Sequence, residues 1–376
     1  MFAHEEGFGE LKVTVYTYRD VNVLAIETSC DETACSIVRN GREVLSNAIF
    51  TQMHIHREYG GVVPEIASRN HLEKINDVVD KAILDASLNK EDIDVIAVTS
   101  TPGLIGALVV GVATAKTMAY ALSKPLVGVH HIAGHIAANY LDHGELEPPF
   151  ISLVISGGHT SVIDVKDYNE HEVIGQTLDD AAGEAFDKVG ILLGLTYPAG
   201  KDMDELARSA IKNDVSPVYF KRTYLEKGSP HFSFSGIKTG VMNYIRANKD
   251  DPIDKEAIAL GFHEAVTDVL VKKTMDIAKR RNRKKIVLAG GVAANSLIRN
   301  KFKEEGEAQG FEVYLPGLGM CTDNAAMIAS AGYYKYISGG ISDYYLDAVS
   351  NTGLQRRILL KAGSRGCAFG QNDKKM

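Results

Sequence analysis

Val23-Leu24-Ala25-Ile26-Glu27-Thr28-Ser29-Cys30-Asp31-Glu32-Thr33-Ala34-Cys35-Ser36-Ile37-Val38 reads as strand, polar turn, strand. Short apolar runs bounded by turn residues predict buried strands. A tip this rich in hydroxyls and acids offers donors to phosphate and carboxylates to a metal. The device returns at Phe150 to Ile155, the tight turn Ser156-Gly157-Gly158-His159-Thr160, and Ser161 to Val165. Two such openings, each at the head of a half-chain, predict a duplicated α/β unit with a cleft between the halves.

The segments between them fit that plan. Leu72, Ile75, Val79, Ala82 and Ala86 recur at helical spacing and predict an amphipathic helix over Glu65 to Ser87. Asp94 to Thr99 reads as a buried strand, Ser100 to Gly106 opens a largely apolar helix through Leu122, and Lys124 to Val129 returns as a strand. Glu145-Leu146-Glu147-Pro148-Pro149 is the best linker. Beyond it, a helix is expected from about Asp179 to Leu193, and Ile258, Phe262, Val266, Val269 and Ile277 mark the longest amphipathic helix. The predicted organisation is an extension at 1–20, a first half at 21–147, a second half at 148–323, a helix within 324–350 that completes the first half, and a tail at 351–376. In the extension, the alternating Val13 to Tyr18 could add an edge strand.

The 376 residues suffice for two domains. A net charge of -7 argues against unspecific nucleic-acid binding by the whole surface and leaves room for a local basic patch. Cys30, Cys35, Cys321 and Cys367 form no C-x-x-C pair, which suits a reducing cytosol. Glu5, Glu6 and Glu10 interrupt any leader-like apolar core. The longest apolar run, Leu104 to Ala115, is shorter than the roughly 20 residues a bilayer needs. The expectation is a soluble cytoplasmic protein with no membrane partner.

Chemistry concentrates first in Val129 to Tyr140, where His131 and His135 stand one helical turn apart. Residues i and i+4 share a helix face, so both imidazoles can aim at one point, the geometry of a zinc or iron site. His130 points elsewhere. Histidines at this spacing are also ordinary polar residues at a helix start. Asp323 shifts the balance: it sits where Gly-Met-Cys-Thr turns into an apolar helix, its carboxylate exposed at the helix start. Two His and one carboxylate leave coordination positions open for substrate. Ile132 stands where H-E-x-x-H carries its general-base Glu, so that peptidase motif is incomplete.

Gly290-Gly291-Val292-Ala293-Ala294-Asn295 opens another helix and lets a phosphate approach backbone amides. It is neither a P-loop nor a dinucleotide fingerprint. The run Lys279 to Lys285 either complements a helix C-terminus or contacts nucleic acid. Asp187 and Asp204, taken alone, read first as solvated helix and loop acids.

As a set, Val23 to Thr33, His56 to Ser68, His131 to His135, Ser156 to Thr160, Phe232 to Thr239, Gly290 to Asn295 and Cys321 to Asn324 resemble the bacterial TsaD family, formerly called O-sialoglycoprotein endopeptidases, over about residues 21 to 350. The resemblance implies a duplicated actin-like, sugar-kinase-like ATPase (ASKHA) fold, with two ribonuclease-H-like halves around a central cleft. It implies transfer of the threonylcarbamoyl group from threonylcarbamoyl-AMP to N6 of the adenosine next to the anticodon, in tRNAs reading codons that start with A. His131, His135 and Asp323 resemble the ligands of one divalent metal ion per subunit, Fe2+ ahead of Zn2+. Val154, Ile155, Ser156, Gly157, Gly158, Asp187, Gly200, Asp204 and Asn295 resemble the set that holds the adenylate. Asp31 or Glu32 is a candidate to take the amine proton or bind a second cation.

Implied partners are tRNA, a TsaB-like paralogue, a TsaE-like ATPase and a TsaC/Sua5-type synthase that supplies the adenylate. Rival readings are a metallopeptidase and a non-catalytic nucleotide-binding scaffold; a sugar kinase rests on fold analogy alone. The family's Tyr-Pro-Gly-Gly-Pro is here Tyr197-Pro198-Ala199-Gly200-Lys201. An Ala is costly there if the backbone needs positive φ.

Overall fold

The computed structural model describes residues 2–8, 11–17, 19–226, 228–250 and 252–354, the first two ranges by their backbone. Strands β1 (Phe2–Phe8) and β2 (Leu11–Thr17) pair only with each other, so the extension adds no edge strand to either large sheet. Tyr18 and the tail from 355 lie outside the described residues.

The first half runs β3 (Asn22–Glu27), β4 (Glu32–Arg39), β5 (Glu43–Thr51), α1 (Met53–Arg57), α2 (Pro64–Asp85), β6 (Val95–Thr101), α3 (Ile105–Leu122), β7 (Leu126–His130) and α4 (His131–Asp142). The second runs β8 (Phe150–Ile155), β9 (Thr160–Asp167), β10 (Glu170–Gln176), α5 (Ala182–Leu192), α6 (Gly200–Lys212), α7 (Ser235–Ala247), α8 (Lys255–Arg280), β11 (Lys285–Ala289), α9 (Ser296–Gln309), β12 (Glu312–Tyr314) and α10 (Leu318–Cys321). A last helix, α11 (Ala325–Ile337), follows.

The sheets are ordered β5-β4-β3-β6-β7 and β10-β9-β8-β11-β12. In each, the second strand runs antiparallel to the first and third, while the fourth runs parallel to the first. The fifth runs parallel to the fourth. Identical order and sense is the duplication the two openings implied, in the actin-like α/β architecture. β3 and β8 occupy corresponding central positions, and their apolar side chains are fully buried, as expected of strands covered on both faces.

Three local expectations are revised. The helix predicted from Asp179 begins at Ala182, because the Asp179 carboxylate is engaged elsewhere: it accepts from the amides of Phe234 (2.8 Å) and Ser235 (3.3 Å) and from the Ser233 and Ser235 hydroxyls, capping α7. The linker is fastened, with Leu146 fully buried and the Arg42 guanidinium donating to the carbonyls of Tyr140, His143 and Leu146. The apolar helix ends at Leu122 as expected, but as a whole, beyond the run to Ala115, its 18 residues are long and apolar enough to cross a membrane by length and composition. One face of it packs into the core: Leu108, Val112, Ala115 and Ala119 are buried with the first sheet, and Thr28 Oγ1 donates to the carbonyl of buried Ala107 at 2.9 Å.

α11 packs on the other face of that sheet. Asn324 caps it by accepting from the Met327 amide at 3.0 Å, and Ala325 to Ala329 join Val23, Ala25, Val95, Ala97 and Val127 in one buried cluster. The helix expected to complete the first half therefore supplies its missing layer. It also fixes Asp323, two residues before its start, beside α4.

Candidate metal centre and cleft

Glu27 closes β3 as a carboxylate buried at the sheet's end, where burial is tolerable only with partners. It has three: the Ser29 amide and the Thr99 hydroxyl, each at 2.5 Å, and His131 Nδ1 at 3.1 Å. A carboxylate on Nδ1 keeps a proton there and turns Nε2 outward as the coordinating nitrogen. His131 Nε2 lies 3.5 Å and His135 Nε2 3.1 Å from the same Asp323 oxygen. One ligand atom from each of the three residues falls within 4.8 Å of the others. His130 does point away, accepting from the Ile132 amide and reaching the Thr352 carbonyl.

Whether these side chains suit a cation is answered by His135. It is 1% exposed; among the described residues Nδ1 has no partner, and Nε2 has only the Asp323 oxygen 3.1 Å away, off hydrogen-bond geometry. A buried imidazole without partners costs free energy that a metal bond would recover. The charges agree. Burial by itself would depress His131, but Asp323 and Glu27 outweigh it and push its pKa up to about 9. Burial likewise acts to raise Asp323 and Glu27, yet the histidines hold both carboxyls below their ordinary range. The donor set fits one divalent ion with positions to spare.

A pH dependence follows. Without a metal, His131 is an imidazolium at neutral pH, so the ion must displace a proton. Apparent metal affinity should rise about tenfold per pH unit up to about pH 9, with proton release below it. In the metal-free protein the sign reverses. A raised histidine pKa adds stability in full below its ordinary 6.5, and that stability is lost as pH climbs toward 9. Calorimetry in buffers of differing ionisation enthalpy would detect the proton; affinity flat from pH 6 to 9 contradicts it.

The centre opens into a cavity of about 620 Å³ lined by both halves. The first contributes Asp31, Glu32, the Pro102 to Leu104 turn and His131; the second contributes Ser156 to His159, Asp187 and Gly291. Glu32 is pushed up to about 10 by burial and by the neighbouring Asp323 and Asp31 carboxylates, so it carries a proton at neutral pH until a cation arrives. The Ser156 to His159 turn is closed by the Ser156 amide donating to the His159 carbonyl at 2.8 Å. Among the described residues no acceptor is found for the Gly157 and Gly158 amides, and a Cβ at either would meet nothing within 4 Å. α5 starts directly behind: a Cβ on Gly183 would come within 2.6 Å of the Ser156 carbonyl oxygen.

Of the other residues of the expected adenylate set, Asp187 lines the cavity, while Val154, Ile155, Gly200, Asp204 and Asn295 are not on its wall. Val154 and Ile155 are fully buried in β8 and carry the turn. Asp187 Oδ1 accepts from the Ala199 amide at 2.8 Å, just ahead of Gly200. Asp204 accepts from the Ser296 amide and hydroxyl, and Asn295 caps α9 through the Ile298 amide at 3.1 Å. Ala199 sits at φ -94°, ψ -7°, so the substitution for Gly strains nothing; Lys201 projects into solvent. Glu27, behind His131, and His159, on the cavity wall, are two groups not among the sequence candidates. His159 lines the cavity and is held down at about 4 by burial and by the charge of His131 and His135.

The family profile described as tRNA N6-adenosine threonylcarbamoyltransferase, TsaD, matches residues 43–330. The chain belongs to the TsaD family. A relative of that name from Clostridioides difficile (strain 630) is 51% identical over 334 residues, covering 88% of this chain and 98% of its own. One from Clostridium novyi (strain NT) is 48% identical over 341 residues, covering 90% and 99%. Among solved structures, HypF of T. kodakarensis superposes with a TM-score of 0.58 at 14% identity, over 87% of this chain and 49% of that one. Full-length HypF in its phosphate- and nucleotide-bound form gives 0.56 at 16%, over 84% and 46%. These two similarities concern the fold. Family membership makes the His131, His135, Asp323 cluster the centre of interest in a TsaD protein.

Proposed function

We propose that this chain transfers the threonylcarbamoyl group of threonylcarbamoyl-AMP to N6 of the adenosine next to the anticodon, in tRNAs reading codons that start with A. The observation that carries this reading is one cleft holding both a two-histidine, one-carboxylate centre and a glycine turn with open amides, in a chain about half identical to transferases of that name.

The reaction asks little covalent chemistry of the protein. The donor is a mixed anhydride with a good leaving group, and the exocyclic adenine amine is a weak nucleophile, so positioning and carbonyl polarisation decide the rate. On this reading the Gly157 and Gly158 amides, which line the cavity without acceptors among the described residues, would take the AMP phosphate. His131, His135 and Asp323 would hold the divalent ion, iron ahead of zinc, which supplies Lewis acidity toward the threonylcarbamoyl oxygens. Glu27 orients His131. Asp31 and Glu32, on the first-half wall facing the glycine turn, are our candidates for the proton the amine gives up or for a second cation, Glu32 as a base only once a cation has displaced its own proton. The target base lies in a loop, so exposing it costs little. On this reading tRNA, a TsaB-like paralogue, a TsaE-like ATPase and a TsaC/Sua5-type synthase are the partners, and the setting is the cytoplasm.

A peptidase has less support. Ile132, between the histidines, is buried in the core, and Glu27 lies on the far side of His131 with its oxygens already engaged. Mass spectrometry of tRNA incubated with the protein, its partners and threonylcarbamoyl-AMP is expected to show the modified nucleoside; unmodified tRNA under complete conditions refutes the proposal.

A further inference from the structure

The basic run at the end of α8 divides in the structure. Arg283 grips the buried Asp164 carboxylate with two nitrogens at 2.8 and 3.1 Å, and Arg281 pairs with Glu172 at 3.1 Å, so both are committed to holding the second half together. Lys279 turns the other way. It lines two adjoining hollows of about 730 and 610 Å³, formed by the 219–229 segment against α8 and the flank of α9. Their walls carry seven cationic side chains against four carboxylates, an excess of positive charge on a chain whose net charge is -7.

Several of those cations are occupied. Arg222 pairs with Asp268 at 2.8 Å, and Lys273 donates to the Ser229 and His231 carbonyls. Two are available: Lys221 has no carboxylate within ion-pair distance among the described residues, and Lys279 reaches only the Gln309 amide oxygen. The same wall carries Tyr219 and Tyr224, 77% and 45% exposed, with the Arg222 guanidinium 5.2 Å from the Tyr219 ring centroid. Large aromatic rings held open to solvent beside uncommitted lysines make a platform on which unstacked bases rest while phosphates are neutralised.

The groove lies at the end of the sheet remote from the chemistry. Lys279 precedes β11, whereas Gly291, just past its other end, lines the cleft. The five residues of β11 that run between those two ends span about 16 Å. A small-molecule substrate cannot bridge that span; a folded RNA can.

We infer that this groove docks the ribose-phosphate backbone of the RNA substrate away from the target adenosine, with Lys221 and Lys279 as phosphate contacts and Tyr219 as a stacking surface. The inference rests on the proposed function for the identity of the RNA. A tRNA would then touch the protein at two separated places, one that reads the reacting base and one that adds affinity without reading sequence.

The test is tRNA binding by fluorescence anisotropy against salt concentration, for the full chain and for Lys221→Glu, Lys279→Glu and Tyr219→Ala, with Lys284→Glu as control. Lys284 belongs to the same basic run, is exposed, and lies outside the groove. Each groove lysine should lower the slope of log K against log salt by about 1 and weaken binding, while Lys284→Glu should not. Lys→Gln versions, with circular dichroism, guard against misfolding. Slopes unchanged in both groove variants, or lowered equally by Lys284→Glu, overturn the inference. Modified tRNA produced by the parent protein with unchanged slopes sinks the groove and leaves the transferase reading standing. Lowered slopes without any modification by the complete parent system do the reverse.

Discussion

His135→Ala is expected to yield a folded chain that holds no stoichiometric metal and has lost transfer activity by at least about a hundredfold. The magnitude is a lower bound, because removing a partner that only supports a ligand already costs 10- to 100-fold in many sites. Folding should survive. Ile132, Ile136, Ala137 and Tyr140 anchor α4 in the core without help from the imidazole. Its Nδ1 lacks a hydrogen-bond partner among the described residues, so deleting the ring removes an unsatisfied polar atom, which offsets part of the cavity it leaves. Asp323→Asn should behave alike, and it carries a second readout: without that carboxylate His131 loses the largest influence raising its pKa, so proton release on metal binding should shrink. Elemental analysis beside circular dichroism decides the matter. Full occupancy in Asp323→Asn would remove the third ligand from the site.

Gly158→Val is expected to separate the two functions of the cleft. Nothing lies within 4 Å of a Cβ at this position, so the substitution should leave stability and bound metal intact while its branched side chain fills the space where the phosphate must sit. A displacement of about 1 Å at a reacting group costs on the order of a hundredfold, and loss of transfer by that factor or more is the expected result. Gly183→Ala makes the contrast. Its Cβ would press on the Ser156 carbonyl and the Gly157 Cα from behind, at 2.6 and 2.8 Å, so it should lose activity and about 1–3 kcal/mol of stability together. Asn295→Ala discriminates less well, since losing the α9 cap alone costs about 0.5–2 kcal/mol. Metal-dependent peptide cleavage that survived Gly158→Val would overturn the transferase reading, because bulk at a phosphate turn is irrelevant to a peptidase.

The pair His131 and His135 was legible because helical spacing is a local property, and Asp323 because a loop of small residues ahead of an apolar helix places an acid at its start. The repeated strand-turn-strand openings were legible for the same reason. Glu27 was not: it is one acid after a run of apolar residues, and only tertiary structure brings Thr99 and His131 to it. Asp179 misled for a related cause. An acid before a helical pattern looks like that helix's own beginning, and nothing local shows that its partners are the amides at 234 and 235. The Lys279 to Lys285 run held two roles at once, and a linear reading cannot divide them, because Asp164 and Glu172, which claim Arg283 and Arg281, sit on strands more than a hundred positions earlier in the chain.

Because α11 covers one face of the first sheet, the order in which the ribosome makes this protein is not the order in which it can finish folding. When the first half emerges, Val23, Ala25, Val95, Ala97 and Val127 have only the partial cover of Ala138 and Leu141 from α4 until Ala325 to Ala329 leave the exit tunnel, by which time the second half is already made. Asp323 arrives with that same stretch. The nascent chain therefore cannot assemble all three ligands early, and a stop codon shortly before position 323 should release a product with an exposed apolar face, suited to chaperone capture and proteolysis, instead of a half-active enzyme.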